Sequence, residues 1–274
     1  MRIAVNTACY IGRQTGYALH PFAWGPARAA TVAAFSGPTF AEQFDQLVAT
    51  IRSLGVSLIE VWSAHLAPTA PPETVDQAVS ILTAHGLRVA AYAASLRRPG
   101  IGPAELERTF QVAVALGAPL IAGGLHHAYA APVYALCRAY GVRFAVENHP
   151  EDDPLEILAQ IGGREDWFGT ALDTGWFRTH GVDVPAAILR LRDHIIHVHL
   201  KDVRAVGLPH RTCPLGEGVV GIPTVLTLLQ QIGYQGVLSI EHEPPHHDPT
   251  DELRISVRRV EAWLASTVPA GSRA

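Results

Sequence analysis

Short runs of β-branched and apolar residues recur along this chain, each five or six residues long. Longer stretches separate them, in which apolar positions return every three or four residues. The short runs read as strands and the longer ones as amphipathic helices, because side-chain direction repeats every two residues in a strand and every 3.6 in a helix. Eight strands are predicted, at residues 2–7, 57–62, 88–93, 119–123, 143–147, 169–173, 195–200 and 236–241, and eight helices, at 40–54, 73–85, 103–116, 129–140, 154–161, 184–193, 222–232 and 251–265. Gly55, Gly86, Gly117, Gly141 and Gly233 stand just past predicted helix ends, and Pro103, Pro185 and Pro223 stand near helix starts, positions that suit each residue's backbone. Eight alternating β/α units in 274 residues predict an α/β fold, a single-domain (β/α)8 TIM barrel over residues 1–267, with 268–274 as a disordered tail. A doubly wound sheet would show a glycine-rich turn after the first strand, and none follows Thr7.

One connection breaks the rhythm. Residues 8–39 carry five aromatics (Tyr10, Tyr17, Phe22, Trp24, Phe35) among Gly and Pro, and exceed the roughly 12–15 residues beyond which structureless loops are uncommon. A loop leaving the C-terminal end of the first strand either packs on the barrel or serves as an aromatic lid over a ligand.

Composition narrows the partners. The chain is 48% hydrophobic and 17% charged with a formal charge of −4, and no cationic run exceeds the pairs at 97–98 and 258–259. Nucleic acid is excluded as a partner, since its capture needs concentrated positive charge. No apolar stretch approaches the roughly 18 residues of a membrane span, and the N-terminal MRIAVNT lacks the apolar core of a signal peptide. Three cysteines without CxxC spacing argue against disulfides and structural zinc, and predict a reducing, cytoplasmic setting. A small molecule is the expected partner, in a monomer or a homo-oligomer.

In such a barrel, chemistry sits at the C-terminal ends of the strands. Four predicted strands carry a charged or imidazole side chain there: Glu147 in RFAVENHP, Asp173 in GTALDTGW, a histidine in IIHVHLKD, and Glu241 in GVLSIEHEP. His197 and His199 of the third motif share one strand face, so either can point inward. Three carboxylates and an imidazole in one mouth are costly unless a cation neutralises them. Three oxygens and one nitrogen suit a divalent ion, Mn2+ ahead of Mg2+, Co2+ or Zn2+, with two positions left for a substrate diol or hydroxyketone.

The segments ENHPE (147–151), ALDTG (171–175), HVHLKD (197–202), PLGEGVVG (214–221) and SIEHE (239–243) resemble the xylose isomerase-like TIM barrel superfamily. Over essentially the whole chain, the resemblance is to its sugar phosphate isomerase/epimerase family, which includes ketose 3-epimerases and inosose dehydratases. It implies that Glu147, Asp173, His199 and Glu241 are the metal ligands and that Glu147 and Glu241 are the acid–base pair on opposite faces of the substrate; His197, one pleat deeper, then orients a neighbour or hydrogen-bonds inside the barrel. Such a pair needs the metal, because a carboxylate is far too weak a base to hold a carbanion, whereas an enediolate stabilised by a cation is accessible. The implied activity is a metal-dependent sugar or sugar phosphate isomerase or epimerase. The alternative is a lyase or dehydratase that expels a β-substituent from a keto sugar, inosose or keto-glycoside.

Two departures bear on the substrate. Many relatives carry histidine three residues past the strand-six aspartate, and here Trp176 stands, able to stack on a ring but not to share a proton. Several ketose epimerases place an arginine where this chain has Ala205, with Arg204 adjacent. Trp176 and the aromatic first connection tilt towards a larger or more apolar substrate. Glu60, His65, His149, Lys201 and Arg204 are the further substrate-binding candidates, and His126 and His127 are candidates for the pocket wall. Gly216, Gly218 and Gly221 either cradle a phosphate on backbone N–H groups or turn the chain. His180, His246 and His247 read as solvated loop residues. The AP endonuclease branch needs a trinuclear zinc site, but strand three ends AAYAAS, Trp176 replaces a ligand, and the strand-seven loop reads Leu208-Pro209-His210. A non-catalytic carbohydrate-binding protein is the remaining alternative.

Overall fold

A computed structural model of the chain describes residues 1–266, so the expected tail at 268–274 lies outside the described residues. Eight parallel strands close into a barrel: β1 (Arg2–Asn6), β2 (Leu58–Trp62), β3 (Arg88–Ala93), β4 (Leu120–Gly123), β5 (Arg143–Glu147), β6 (Phe168–Asp173), β7 (Ile195–Leu200) and, after a short antiparallel ribbon of β8 (Asp202–Val203) and β9 (Thr212–Cys213), β10 (Val237–Ile240). β10 pairs with both β7 and β1, which closes the ring. The α/β barrel read from the sequence is therefore the fold.

The helices are α1 (Trp24–Phe35), α2 (Phe40–Arg52), α3 (Pro72–Ala84), α4 (Pro103–Ala115), α5 (Ala130–Tyr140), α6 (Pro154–Ile161), α7 (Thr174–Thr179), α8 (Val184–Leu191), α9 (Ile222–Gln231) and α10 (Thr250–Ser266). α2 shows why they dock. Phe40, Phe44, Leu47, Val48 and Ile51 form one apolar stripe, all buried, each worth about 1.5–3 kcal/mol on transfer from water.

Two of these helices depart from expectation. The first connection is not structureless but holds two 3-10 turns and the twelve-residue α1. Only Ala27, Thr31 and Phe35 of α1 are buried, so its apolar stripe is too thin to read against the surrounding alanines. α7 is six residues long, shorter than any period can reveal, and exists because the Asp173 side chain caps it.

The barrel interior is lined low down by small residues, among them Ala91, Ala122, Ala145 and Ala171. This leaves room above them for polar side chains that bulky residues would exclude. Register slips occur at Ile59/Glu60, within β2, and at Thr170/Ala171, shortly before Asp173 at the end of β6. Such irregularities re-aim the side chains that follow.

Candidate metal centre

Glu147, Asp173, His199 and Glu241 end their strands on the inner face, and one donor atom of each lies within 4.8 Å of all the others. His199 Nδ1 is 2.7 Å from Glu147 Oε1 and 3.7 Å from Glu241 Oε1. Asp173 splits its two oxygens: Oδ1 accepts the Trp176 N–H at 2.8 Å to cap α7, whereas Oδ2 is buried and accepts no hydrogen bond. Asn148 fixes the Asp173 backbone, with Oδ1 accepting its N–H at 2.7 Å and Nδ2 donating to its carbonyl at 2.9 Å. Glu147 is the most open of the four, its side chain 17% exposed against 5% or less for the others.

Beneath this set, the fully buried Glu60 lies between two imidazoles. His197 Nε2 is 2.9 Å from one of its oxygens and His199 Nε2 3.0 Å from the other. This holds His199 with Nδ1 towards the mouth, the arrangement by which a carboxylate orients a metal-binding histidine. His197 thus bonds inside the barrel. Lys201 Nζ sits at 2.8 Å from Glu241, 3.1 Å from Glu243 and 3.2 Å from Asp173. Its stem crosses Gly175, where a Cβ would lie 2.7 Å from Lys201 Cγ, which explains the glycine of ALDTG.

The charges do not balance. Glu60, Glu147, Asp173, Glu241 and Glu243 face one lysine and two imidazoles. Burial, aided by Glu241 and Glu147, pushes the Asp173 carboxyl up to about 6 despite Lys201. Burial likewise pushes Glu243 up to about 7. Glu147 resists burial because His199 adjoins it, and falls to about 2. Burial lowers the Lys201 and His199 pKa values, but the surrounding carboxylates outweigh it and hold both well above their ordinary values. Excess negative charge, together with a buried Asp173 Oδ2 that accepts no hydrogen bond and has Lys201 Nζ as an ion-pair partner at 3.2 Å, fits a divalent cation on Glu147, Asp173, His199 and Glu241.

Glu147, His199, Lys201, Glu241 and Glu243 floor a cavity of about 560 Å³ at the C-terminal mouth, walled by Trp24, Trp62, His149 and Trp176; Asp173 is fully buried and does not line it. Trp176 is sandwiched between His149 at 3.9 Å and His210 at 4.0 Å, rings nearly parallel. A second cavity of about 520 Å³ at the opposite end is lined by Arg2, Arg88, Thr83, His197 and apolar residues, with no carboxylate among them.

Of the substrate-binding candidates, Trp176, His149 and Lys201 line the mouth cavity. Glu60 lies one layer below it. His65 does not reach it: the ring is buried, bonds Thr7 Oγ1 through Nδ1 at 3.0 Å, and supports Trp62 edge-on from behind. Arg204 does not reach it either, being exposed on the ribbon, where its N–H donates to the Arg211 carbonyl. His126 and His127 stack on each other and do not line the cavity. The phosphate-cradle reading of the glycine loop is corrected. The N–H groups of Gly216, Gly218 and Val220 donate to the buried Asp202 carboxylate at 2.9, 3.0 and 3.1 Å, so the chain supplies its own anion.

Glu243, Asn6, Trp62 and Asn148 belong to the site without having stood out in the sequence. Glu243 faces the cavity two residues after Glu241, a position that alternation beyond the predicted strand end would have flagged. Asn6, at the end of β1, donates to Glu241 Oε1 at 2.5 Å.

Comparison with known proteins agrees with this fold. An uncharacterised protein of Methanocaldococcus jannaschii, MJ1311, is 29% identical over 122 residues, and the match spans about two fifths of its length, 40%. The structure of L-ribulose 3-epimerase superposes with a TM-score of 0.71 over 97% of this chain and 95% of that one, at 19% identity. The probable 3-DHS dehydratase AsbF of Bacillus anthracis superposes with a TM-score of 0.68 over 95% of this chain and 99% of that one, at 15% identity. The sequence profile described as xylose isomerase-like TIM barrel matches residues 48–264, and the chain belongs to that family.

Proposed function

We propose that this chain is a divalent-metal-dependent isomerase or epimerase, which moves a proton at the carbon beside a carbonyl in a sugar or related polyol. The observation that carries this reading is the convergence of donor atoms of Glu147, Asp173, His199 and Glu241 within 4.8 Å of one another, three of these residues lining the mouth cavity and Asp173 buried beside them. A divalent cation held there, Mn2+ first by the donor set, supplies positive charge beside the oxygens on which negative charge develops. Glu147, open to the cavity and held ionised, takes the proton and leaves an enediolate. Glu241, across the barrel and anchored by Asn6 and Lys201, returns a proton from the other face. Lys201 holds Glu241 and Glu243 in place at the cavity wall, and Trp176, both faces covered by imidazoles, adds a rigid aromatic edge to that wall. The occupied N–H groups around Asp202 favour a sugar with no phosphate seated at that loop.

The aromatic walls also support a second reading, elimination of a β-substituent from a bulkier keto sugar or keto-glycoside. Incubating the Mn2+-loaded protein with candidate keto sugars in D2O separates the two, since deuterium uptake without loss of water or aglycone marks isomerisation and loss marks elimination. Glu147→Gln and Glu241→Gln are each expected to slow exchange by about 10²–10⁴-fold. Unchanged turnover in both, or full activity after chelation, would refute the proposal.

A further inference from the structure

On the outer side of β10 a second set of metal-binding atoms converges. His242 follows Glu241, so strand alternation turns it away from the cavity, towards α10 and the ribbon. Its Nε2 lies 2.5 Å from Glu252 Oε2, and His247 Nε2 lies 2.7 Å from the same oxygen. The three donor atoms lie within 4.8 Å of one another. His242 is buried, with Nδ1 2.9 Å from Thr212 Oγ1, a hydroxyl that also accepts the Glu243 N–H at 3.0 Å. His247, 55% exposed in its side chain, and Glu252, 27% exposed, leave the point of convergence open to solvent.

Two states satisfy this geometry. With no ion present, both imidazoles donate Nε2–H to one carboxylate oxygen and Thr212 donates its hydroxyl proton to His242 Nδ1. With an ion present, His242 turns to the other tautomer, Nδ1–H donates to Thr212 Oγ1, and the Nε2 lone pair is free to ligate. Thr212 serves the second state as the oriented partner typical of a metal-bound histidine. Two imidazoles, one carboxylate and an open solvent position form a donor set that suits tetrahedral Zn2+.

We propose that His242, His247 and Glu252 form a second divalent-metal site, taking Zn2+ and fastening the end of β10 to the first turn of α10. It shares no ligand with the barrel mouth, so it stands or falls separately from the proposed activity. The full chain, stripped of metal and dialysed, is titrated with ZnCl2 and its bound zinc counted by elemental analysis. His247→Ala removes an exposed side chain, so its fold is preserved; it is expected to bind one fewer zinc per chain than wild type. Asp173→Asn, which disables the mouth, is expected to keep the zinc that His247→Ala loses. Thr212→Val, which leaves the ligands intact, is expected to weaken that zinc by about 10–100-fold. Co2+ added to Asp173→Asn should give the visible absorption of four-coordinate cobalt, absent when His247→Ala is added. Equal zinc content in wild type and His247→Ala, or no cobalt absorption in Asp173→Asn, would overturn the site.

Discussion

At the scale of single residues, Asp173 does two jobs with two oxygens, and they can be separated. Asp173→Asn keeps a cap acceptor for α7 but loses the anionic oxygen that adjoins the other three donors. Ion titration is expected to show at least a tenfold loss of metal affinity. Asp173→Ala removes the cap as well, and should lower stability by about 1 kcal/mol. Glu60→Gln changes no mouth ligand but disturbs the orientation of His199, and should cost about 10–100-fold in metal affinity with the fold retained. The strand-end carboxylates and the two strand-seven histidines were legible because charged or polar groups closing apolar runs need a reason. The choice between those histidines came from family resemblance, and Glu60 beneath them shows how the second one is oriented. His242, His247 and Glu252 were not legible as a cluster, because their meeting depends on how α10 packs against β10 and has no fixed sequence spacing.

At the scale of elements, the strands were legible almost to the residue because both faces are buried and their apolar runs are unbroken, whereas α1 and α7 were not. α1 buries three side chains, and its functional consequence lies on its exposed side, where Trp24 meets Trp62 edge-on at 6.3 Å and Arg28 reaches the cavity rim. Trp24→Ala is expected to raise KM several-fold with kcat nearly unchanged, since that ring adds to the wall and not to the proton-transfer groups. Steady-state kinetics on a responsive keto sugar would check it, and an equal fall in kcat and kcat/KM would remove α1 from the role of substrate wall. The register slips before Glu60 and Asp173 are tertiary features with no local sequence signal.

At the scale of the whole molecule, the barrel closes around polar groups and carries buried histidines that tie stability to pH. Burial, with Arg13 nearby, lowers His65 to about 3, so its unfolded form, near 6.5, binds a proton that the folded form refuses. The stabilisation from this neutral ring is full above pH 6.5 and is lost as pH falls towards 3, at about 1.4 kcal/mol per unit once well below 6.5. Asp173 and Glu243, with raised carboxyl values, act in the opposite sense between their ordinary range and about 6 and 7. The His65 contribution is therefore read as the difference between wild type and His65→Asn, and urea midpoints from pH 7 to 5 should fall more steeply in wild type. The loop around Asp202 is tightly filled as well, for a Cβ on Gly218 would lie 2.3 Å from Asp202 Oδ1, and Gly218→Ala should destabilise by roughly 1–3 kcal/mol. A carboxylate ringed by main-chain donors is in effect a tethered guest, and a tether can be cut. Asp202→Gly would empty a ready-made anion receptor, and added formate would then raise the lowered melting temperature with the logarithm of its concentration.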